Sequence, residues 1–374
     1  MKIIYAIATI SGTIIGAGLF ALPYITLKVG FGVILAYFLV LGSLVVLIHL
    51  FFGELSLKTP DFKRLPGFTK IYLGKPGQAV AYTSTILGLF GALLAYLILG
   101  GEFLTKLTEL ILPALGGNNL FYTLFYFVIG AFLIFYGIKA IEKVEFWGLV
   151  LFLIILFAVF IKGMSFINIE NLFIGQCSIG NGQWSSLFLP YGAILFSLWG
   201  AALIPEAEEI LGERKKMLLK IIPITILIPA LVYLFFIYIT LGITGLQTTE
   251  DALSGLTNVL GDGIVVLALL FGLLTTFTSF VALGLALKKV FRYDLKFSKN
   301  LAWAITCFLP LILYLIGIKS FIAVIGVVGG MMLAVDGILI LLMYKKIRPE
   351  RAYLVYSLIF VLLGGIIYSV IYYS

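Results

Sequence analysis

The stretch GTIIGAGLFALPY, residues 12–24, lies inside the first long apolar segment of the chain. Three glycines fall within seven positions and a proline follows, although glycine and proline stabilise the interior of a helix least. In a segment apolar enough to cross a bilayer, this combination predicts an interrupted helix. Unwound backbone at membrane depth is tolerated only where it is buried in protein or lines a cavity. The stretch therefore predicts a broken membrane helix beside a cavity.

The composition is that of a membrane protein. Of the 374 residues, 62% are hydrophobic and only 11% are charged, whereas soluble domains are about 45–50% apolar and about 25% charged. Repeated apolar stretches of about 20 residues, each enough for roughly 30 Å of helix, predict an all-α membrane protein rather than a β-barrel. The first apolar segment runs through Pro23 without a signal-peptide cleavage site, so we interpret it as a retained helix.

Eleven membrane spans are predicted, numbered 1 to 11 along the chain. Their bounds are 3–27, 31–57, 78–111, 118–137, 143–162, 186–211, 217–242, 263–291, 300–317, 320–345 and 351–372. With the N-terminus in the cytoplasm, all but four of the 25 lysines and arginines fall on the cytoplasmic side, as the positive-inside rule requires. The exceptions are Lys28, Lys106, Lys162 and Lys319. This bias predicts a multi-pass protein of the plasma (cytoplasmic) membrane with its C-terminus outside.

The connections fit the same orientation. Residues 58–77 are predicted to form a basic inner loop broken by Pro60, Pro66 and Pro76. Residues 163–185 and 243–262 are predicted as long outer loops that are poor in basic residues.

The chain is predicted to be one domain, residues 1–374, built from two repeats. Five spans occupy residues 3–162, and five more occupy residues 186–345, so the two blocks are equal in length. Because five is an odd number, the second block enters the membrane from the opposite side, as in the inverted repeats of many secondary transporters. Residues 351–372 then form an extra helix.

Span 6 is predicted to be interrupted at the place equivalent to the break in span 1. Residues 186–211 read SLFLPYGAILFSLWGAALIPEAEEIL. Pro190 and Pro205 lie on either side of a centre at Trp199 where the helix is expected to be weak. Ile15, at the weak centre of span 1, lies nearly as far into the first block as Trp199 lies into the second. The two breaks therefore keep the register of the repeat. Pro23, after the first break, and Pro205, after the second, are each expected near the first turn of the half-helix that follows.

Two such breaks predict a zwitterionic ligand. Free N–H groups at a half-helix N-terminus attract an anion, and free carbonyls attract a cation. An α-amino acid is the simplest molecule with a carboxylate next to an ammonium. The alternative is that Gly12 and Gly16 form an ordinary small-x-x-x-small motif for helix packing.

The sequence resembles a known family over nearly its whole length. Residues 12–24 are similar to the span 1 signature of the amino acid/polyamine/organocation superfamily, closest to the amino acid/auxin permease branch and its bacterial aromatic amino acid permeases. RLPG at 64–67 and IPEAEE at 204–209 are similar as well. The resemblance implies a LeuT-type 5+5 inverted-repeat bundle with an eleventh helix and discontinuous spans 1 and 6. It also implies symport of an amino acid driven by Na⁺ or H⁺.

The resemblance also implies a substrate site at the two breaks. The carboxylate would meet N–H groups of span 1, and the ammonium would meet carbonyls of span 6. Trp199 would wall the side-chain pocket, with ordinary packing as the alternative. The candidate substrate-binding residues are Thr13, Gly16, Ala17, Gly18, Phe196, Ser197, Trp199 and Gly200.

Two kinds of coupling ion are open. Thr275, Thr278 and Ser279 share one face of span 8, and oxygen ligands suit a hard cation. In the resembled fold, a sodium site joins them to carbonyls of span 1, here Gly12 and Ile15, while the alternative is that these hydroxyls bond their own helix. For proton coupling, the candidates are Glu102 and Asp336, because an ionisable residue within a span is by default a functional hypothesis.

Other polar groups in the spans are expected to be structural. His49 and Glu54 are expected to make hydrogen bonds that stabilise the fold. Glu206, Glu208, Glu209 and Glu213 are expected to form a solvated inner end of span 6 with a gating role.

Several alternatives to amino acid symport stay open. A proton-coupled polyamine or organocation carrier would need an acidic residue at the pocket, for which Glu102 is the candidate. A non-transporting amino acid sensor or scaffold is the third hypothesis. An enzyme is not expected, because no cluster of His, Cys and Asp has catalytic spacing, and Cys177 and Cys307 are too few for a disulfide framework or metal site. The expected partners are a small-molecule amino acid and the lipid bilayer, with no cofactor, nucleic acid or obligate protein partner.

Overall fold

The described residues form helices throughout. The structure is a computed structural model that describes residues 2–59, 63–137, 141–174 and 187–373. These residues contain fifteen α-helices. The helices are α1 (Lys2–Ile14), α2 (Gly18–Val29), α3 (Phe31–Lys58), α4 (Leu65–Ile111), α5 (Asn119–Tyr136), α6 (Ile141–Gly163), α7 (Leu189–Leu198), α8 (Ile204–Leu211), α9 (Leu218–Thr244), α10 (Thr257–Leu260), α11 (Asp262–Lys289), α12 (Lys299–Leu315), α13 (Phe321–Val327), α14 (Ala334–Ile347) and α15 (Ala352–Tyr373).

The lengths and compositions of these helices are those of a multi-pass membrane protein. Among the described residues, seven helical stretches are long and apolar enough to cross a bilayer, and the bent pair α1 and α2 can count as an eighth. One of the seven, Leu189–Gln247, holds both span 6 and span 7 of the prediction. Val150–Phe166 and Lys299–Leu315 are shorter apolar helices. The count of eleven spans stays a prediction.

The helices pack in two groups. In the first group, α1 and α2 pack against α7, α8 and α9, and α3 joins them. In the second, α4 packs along α11, α5, α12 and α14, while α15 packs on α14. Large apolar side chains on the periphery, such as Phe132 and Phe360, are exposed. This is the pattern expected where lipid, rather than water, surrounds the helices.

At one crossing between the groups, the backbones approach each other through glycines. Span 10 consists of α13 and α14 joined by a π-helical segment, Val328–Leu333. A Cβ atom on Gly192 of α7 would lie 2.8 Å from the Cα of Gly326, and one on Gly329 would lie 2.8 Å from the backbone nitrogen of Phe196. Only glycine lets the two backbones approach this closely.

The predicted inner loop at 58–77 is wrong in part, because α4 already begins at Leu65. Pro66 stands in the first turn of this helix, where a missing N–H costs little. Gly74 then adopts a left-handed φ of 75°, which lets the chain change direction before the long membrane part of α4. Pro60, the part of the predicted outer loop from 175 to 185, with Cys177, and the first residue of predicted span 6 lie outside the described residues.

Candidate functional site

Span 1 is divided into α1 and α2, which are bent by 52° at the break. Between them, the N–H of Gly16 donates to the carbonyl of Ile14 at 2.8 Å. The carbonyl of Gly16 in turn accepts from the N–H of Leu19 at 3.1 Å. The N–H of Ala17 has no hydrogen-bond partner among the described residues. A donor is therefore left open at the N-terminus of α2.

Span 6 is divided into α7 and α8. Trp199 follows α7 in an extended conformation, with φ −82° and ψ 113°. One turn of 3₁₀-helix then leads into α8, and Pro205 stands in the first turn of α8, as expected. The same expectation for Pro23 is wrong, because α2 begins at Gly18 and Pro23 lies in its interior.

The two breaks contact each other through their glycines. A Cβ on Gly18 would lie 2.9 Å from the Cα of Ser197, and one on Gly200 would lie 2.8 Å from the side chain of Ile14. A Cβ on Gly16 would lie 2.8 Å from the hydroxyl of Tyr96 in α4. None of these glycines has a left-handed φ. Their role is therefore to let neighbouring groups approach closely rather than to allow an unusual backbone torsion.

The side chains predicted to bind substrate differ in exposure. Phe196 and Trp199 are half-buried beside the span 6 break. Ser197 is buried, and its hydroxyl donates to the carbonyl of Ala193 at 2.7 Å. Thr13 is exposed, and its hydroxyl donates to the carbonyl of Thr9 at 3.0 Å. Both hydroxyls are thus engaged by their own helices.

An apolar pocket lies next to the span 1 break. It is lined by Phe20 of α2, by Phe152 of α6, by Phe236 of α9 and by Phe271 of α11, with aliphatic side chains around them. Phe20 follows Gly18 by two residues, so the pocket adjoins the open end of α2. No charged side chain lines it among the described residues.

Two side chains from neighbouring spans hold the broken backbone. Tyr233 of α9 places its hydroxyl against the carbonyl of Ile14 and 2.9 Å from the carbonyl of Ser197. His49 of α3 accepts a hydrogen bond at Nε2 from the N–H of Gly200 at 3.0 Å. The expectation that His49 makes a structural hydrogen bond is therefore confirmed. Tyr233 is not among the residues predicted from the sequence, because one tyrosine among 20 in an apolar sequence carries no distinguishing local signal.

The predicted sodium ligands lie in two places, on α11 and at the end of α1. The hydroxyl of Thr278 donates to the carbonyl of Thr275 at 3.1 Å, and Ser279 is half-buried beside them on α11. Gly12 lies in α1, whereas Ile15 lies in the break after it. Among the described residues, α1 packs mainly on α6, α8 and α9, and α11 packs mainly on α4, α5 and α6. The sodium site stays a prediction.

The two candidate proton carriers have different surroundings. Asp336 is buried just after the π-helical segment of span 10 and accepts a hydrogen bond from Ser84 of α4. Glu102, half-buried in α4, lies within electrostatic reach of Glu250, Asp251 and Lys106. Asp336 thus links two spans inside the bundle, whereas Glu102 belongs to a cluster of charged groups.

One end of α3 is joined to the chain between α14 and α15 by ion pairs. Glu54 of α3 contacts Arg348 at 2.7 Å, Lys58 at 3.0 Å and the hydroxyl of Tyr344 at 3.0 Å. The hydrogen bond from Arg348 to Glu54 raises the pKa of the guanidinium above its ordinary value. The expected structural role of Glu54 is therefore confirmed.

The expectation of a wholly solvated end for span 6 is wrong for Glu208. Its side chain is buried, accepts from the hydroxyl of Ser56 and lies 3.6 Å from Lys215. The period of α8 turns this one carboxylate toward α3, while Glu209 and Glu213 are exposed and Glu206 is half-buried.

The chain is similar to curated proteins over most of its length. The Tyrosine-specific transport system 1 of Haemophilus influenzae is 28% identical over 386 residues, which cover 96% of this chain and 93% of that protein. The Glutamine transporter 2 of Aliivibrio fischeri is 23% identical over 332 residues, covering 86% of this chain and 82% of that protein.

Two solved structures are similar to the whole chain in fold. MhsT in complex with L-phenylalanine matches with a TM-score of 0.68 and 15% identity, covering 100% of this chain and 98% of that one. Mhp1, a nucleobase-cation-symport-1 family transporter, matches in its closed conformation with a TM-score of 0.65 and 13% identity, covering 100% and 91%. The expected LeuT-type fold is therefore confirmed.

The family model for the tryptophan/tyrosine permease family matches residues 1–372. This match spans nearly the whole sequence, and it describes permeases rather than enzymes. The protein thus belongs to the tryptophan/tyrosine permease family.

Proposed function

We propose that this protein is a secondary active transporter that carries an aromatic amino acid by ion-coupled symport with alternating access. The observation that carries the proposal is the meeting of two broken helices. The N–H of Ala17 is open at the N-terminus of α2. Gly18, the next residue, packs against Ser197 of α7. The match of 28% to a protein named as a tyrosine-specific transport system supports the aromatic substrate.

The backbone of the two breaks can recognise both charges of an amino acid. The carboxylate would accept from the N–H groups of Ala17 and Gly18, where the N-terminus of a 12-residue helix favours an anion. Gly16 contributes less, because its N–H already donates to Ile14. The ammonium would donate to carbonyls of Phe196, Ser197 and Trp199. A carbonyl has two lone pairs, so Ser197 can accept from the substrate and from Tyr233 together.

The surroundings of the breaks favour an aromatic side chain on the substrate. Phe196 and Trp199 are half-buried at the break, and the pocket beside α2 is walled by four phenylalanines. A second amine, as in a polyamine, would need a carboxylate close by, and no charged group lines this pocket among the described residues. A ring that packs against other rings is therefore the better chemical match, and the pocket, about 20 Å³ in volume, would have to widen to admit it.

Coupling would follow from the same inverted repeats. The blocks 3–162 and 186–345 would move relative to each other around the site, with the N-terminus in the cytoplasm and the C-terminus outside. Sodium would bind between Gly12 and Ile15 on one side and Thr275, Thr278 and Ser279 on the other. In the proton-driven case, Asp336 is the better carrier, because it is buried and bonded to a second span through Ser84.

Uptake into proteoliposomes tests this function. The purified protein would be supplied with labelled tyrosine, tryptophan, phenylalanine, glutamine and putrescine, with inward sodium and proton gradients imposed separately. We expect accumulation of an aromatic amino acid under one gradient, abolished by the matching ionophore. Accumulation of putrescine alone would favour the polyamine carrier. Uptake of no amino acid above leak under either gradient would reject symport.

A further inference from the structure

His49 and Tyr233 occupy equivalent positions in the two predicted repeats. Their separation along the chain equals that between Gly16 and Gly200 at the two breaks. Each lies on the continuous helix that follows a broken span, His49 on α3 and Tyr233 on α9. Both side chains are essentially inaccessible, with exposed fractions of 1% for His49 and 0% for Tyr233.

Each of the two side chains reaches the break in the opposite repeat. His49, in the first block, accepts from the N–H of Gly200 in the second. Tyr233, in the second block, contacts the carbonyl of Ile14 in the first. Ile14 and Gly200 lie at the two breaks, so the contacts cross between the blocks.

The chemistry of His49 fits an acceptor for unwound backbone. Its Nδ1 lies 2.8 Å from the carbonyl of Val45, and a carbonyl can only accept, so Nδ1 carries the hydrogen. Nε2 is then unprotonated and free to accept from the N–H of Gly200. The ring also packs edge to face on Trp199, with centroids 5.3 Å apart. One side chain thus fixes both non-helical residues that end α7.

The chemistry of Tyr233 ties the two broken spans together. Its hydroxyl has one hydrogen and lies between two carbonyls, that of Ile14 at the end of α1 and that of Ser197 near the end of α7. The single hydrogen can be donated to one of these carbonyls at a time or shared between them. A phenylalanine would fill the same space without contacting either carbonyl. The hydroxyl is thus a directional contact and not merely packing.

We propose that His49 and Tyr233 are a pair of positioning residues, one from each repeat, that hold the interrupted backbone of spans 6 and 1 in the geometry that receives the substrate. Buried, unwound N–H and C=O groups are costly without partners. These two side chains supply the partners and fix the distance between the breaks. The part concerning substrate rests on the proposed function, whereas the backbone contacts do not.

Hydrogen–deuterium exchange of the substrate-free protein in nanodiscs tests the backbone contacts. His49→Leu removes the acceptor, and His49→Gln replaces it with a side-chain carbonyl. We expect His49→Leu to speed exchange in residues 196–203 about tenfold, which is the scale of one lost hydrogen bond, and His49→Gln to restore much of the protection. Equal exchange in the leucine, glutamine and wild-type proteins would overturn the assignment of His49.

The matching experiment for Tyr233 is Tyr233→Phe, with Tyr126→Phe as control. Tyr126 is another deeply buried tyrosine, and it packs on Phe277 and Phe280 of α11 rather than on the carbonyls of the breaks. We expect Tyr233→Phe to speed exchange in residues 12–19 about tenfold and Tyr126→Phe to leave that segment unchanged. Equal effects of the two substitutions would overturn the role of Tyr233.

Uptake kinetics then test the link to substrate. We expect His49→Leu and Tyr233→Phe to raise the KM for the transported amino acid about tenfold, with His49→Gln and Tyr126→Phe near wild type. If the wild type transports and all variants share its KM, the positioning role is wrong and the proposed function stands. If the wild type transports nothing, the proposed function fails, and the exchange data still decide the backbone contacts.

Discussion

Replacement of Gly18 by alanine is the most direct perturbation of the contact between the breaks. The new Cβ would lie 2.9 Å from both Cα and Cβ of Ser197 and closer still to its hydroxyl oxygen. Ordinary contact for a Cβ begins at 3.4 Å, so the Ser197 backbone must retreat by about 0.5 Å, and overpacking of this kind costs roughly 1–3 kcal/mol. If this cost falls on the substrate-binding conformation, affinity drops about 5- to 150-fold.

The assay is the KM of tyrosine uptake in proteoliposomes. Gly364→Ala is a matched control, because nothing lies within 4 Å of a Cβ at that position of α15. We expect Gly18→Ala to raise KM strongly and Gly364→Ala to leave it nearly unchanged. A wild-type KM for Gly18→Ala, in a variant that elutes as a single folded species, would refute the idea that the two breaks form one binding site.

Three further predictions concern the coupling ions and the buried carboxylate of Glu208. Thr278→Val combined with Ser279→Ala should abolish sodium-driven uptake, and sodium dependence that survives unchanged would show that the ion site is wrong. Asp336→Asn should abolish accumulation under a proton gradient but spare exchange of labelled for unlabelled substrate, because asparagine cannot release a proton; normal proton-driven accumulation would contradict its role as carrier. Glu208→Ala should lower the free energy of unfolding by about 1–3 kcal/mol, since it leaves the buried hydroxyl of Ser56 without its acceptor. The thermal midpoint in detergent measures this loss. Glu209→Ala, at an exposed position, should unfold close to the wild-type midpoint. Equal midpoints for the two variants would show that the burial of Glu208 does not contribute.

The features that sequence could predict are those with a local or periodic signal. The break near Ile15 follows from glycines inside an apolar segment, and the break near Trp199 follows from the equivalent register in the second block. The structure has non-helical residues at both places. The apolar segments likewise made the membrane fold predictable, because each must satisfy its backbone internally.

The features that sequence could not predict depend on distant partners. Pro23 was expected to begin a half-helix, but the amides of Leu19 and Phe20 already bond the carbonyls of Gly16 and Ala17, which starts α2 earlier. Glu208 looks solvated beside basic residues, and only the packing of α8 on α3 reveals that it is buried.

The glycines at the break were placed correctly but for a different physical reason. Backbone freedom explains why glycine tolerates unwound chain, yet the φ values at Gly16 and Gly18 are ordinary. The need for glycine comes instead from Tyr96 and Ser197, which occupy the space that a Cβ would take. Contacts of this kind join residues far apart in the chain, so a single sequence does not disclose them.

The crossing of Gly192 with Gly326 and Gly329 has a mechanical consequence. Helices whose side chains interdigitate must change rotamers before one can move past the other. At this crossing the backbones of Gly192 and Gly329 face each other, so no rotamer change at these two positions is needed for α7 to slide or roll on span 10. A rocking motion of span 6 would therefore meet little steric resistance at this point, and a single added methyl group would create it.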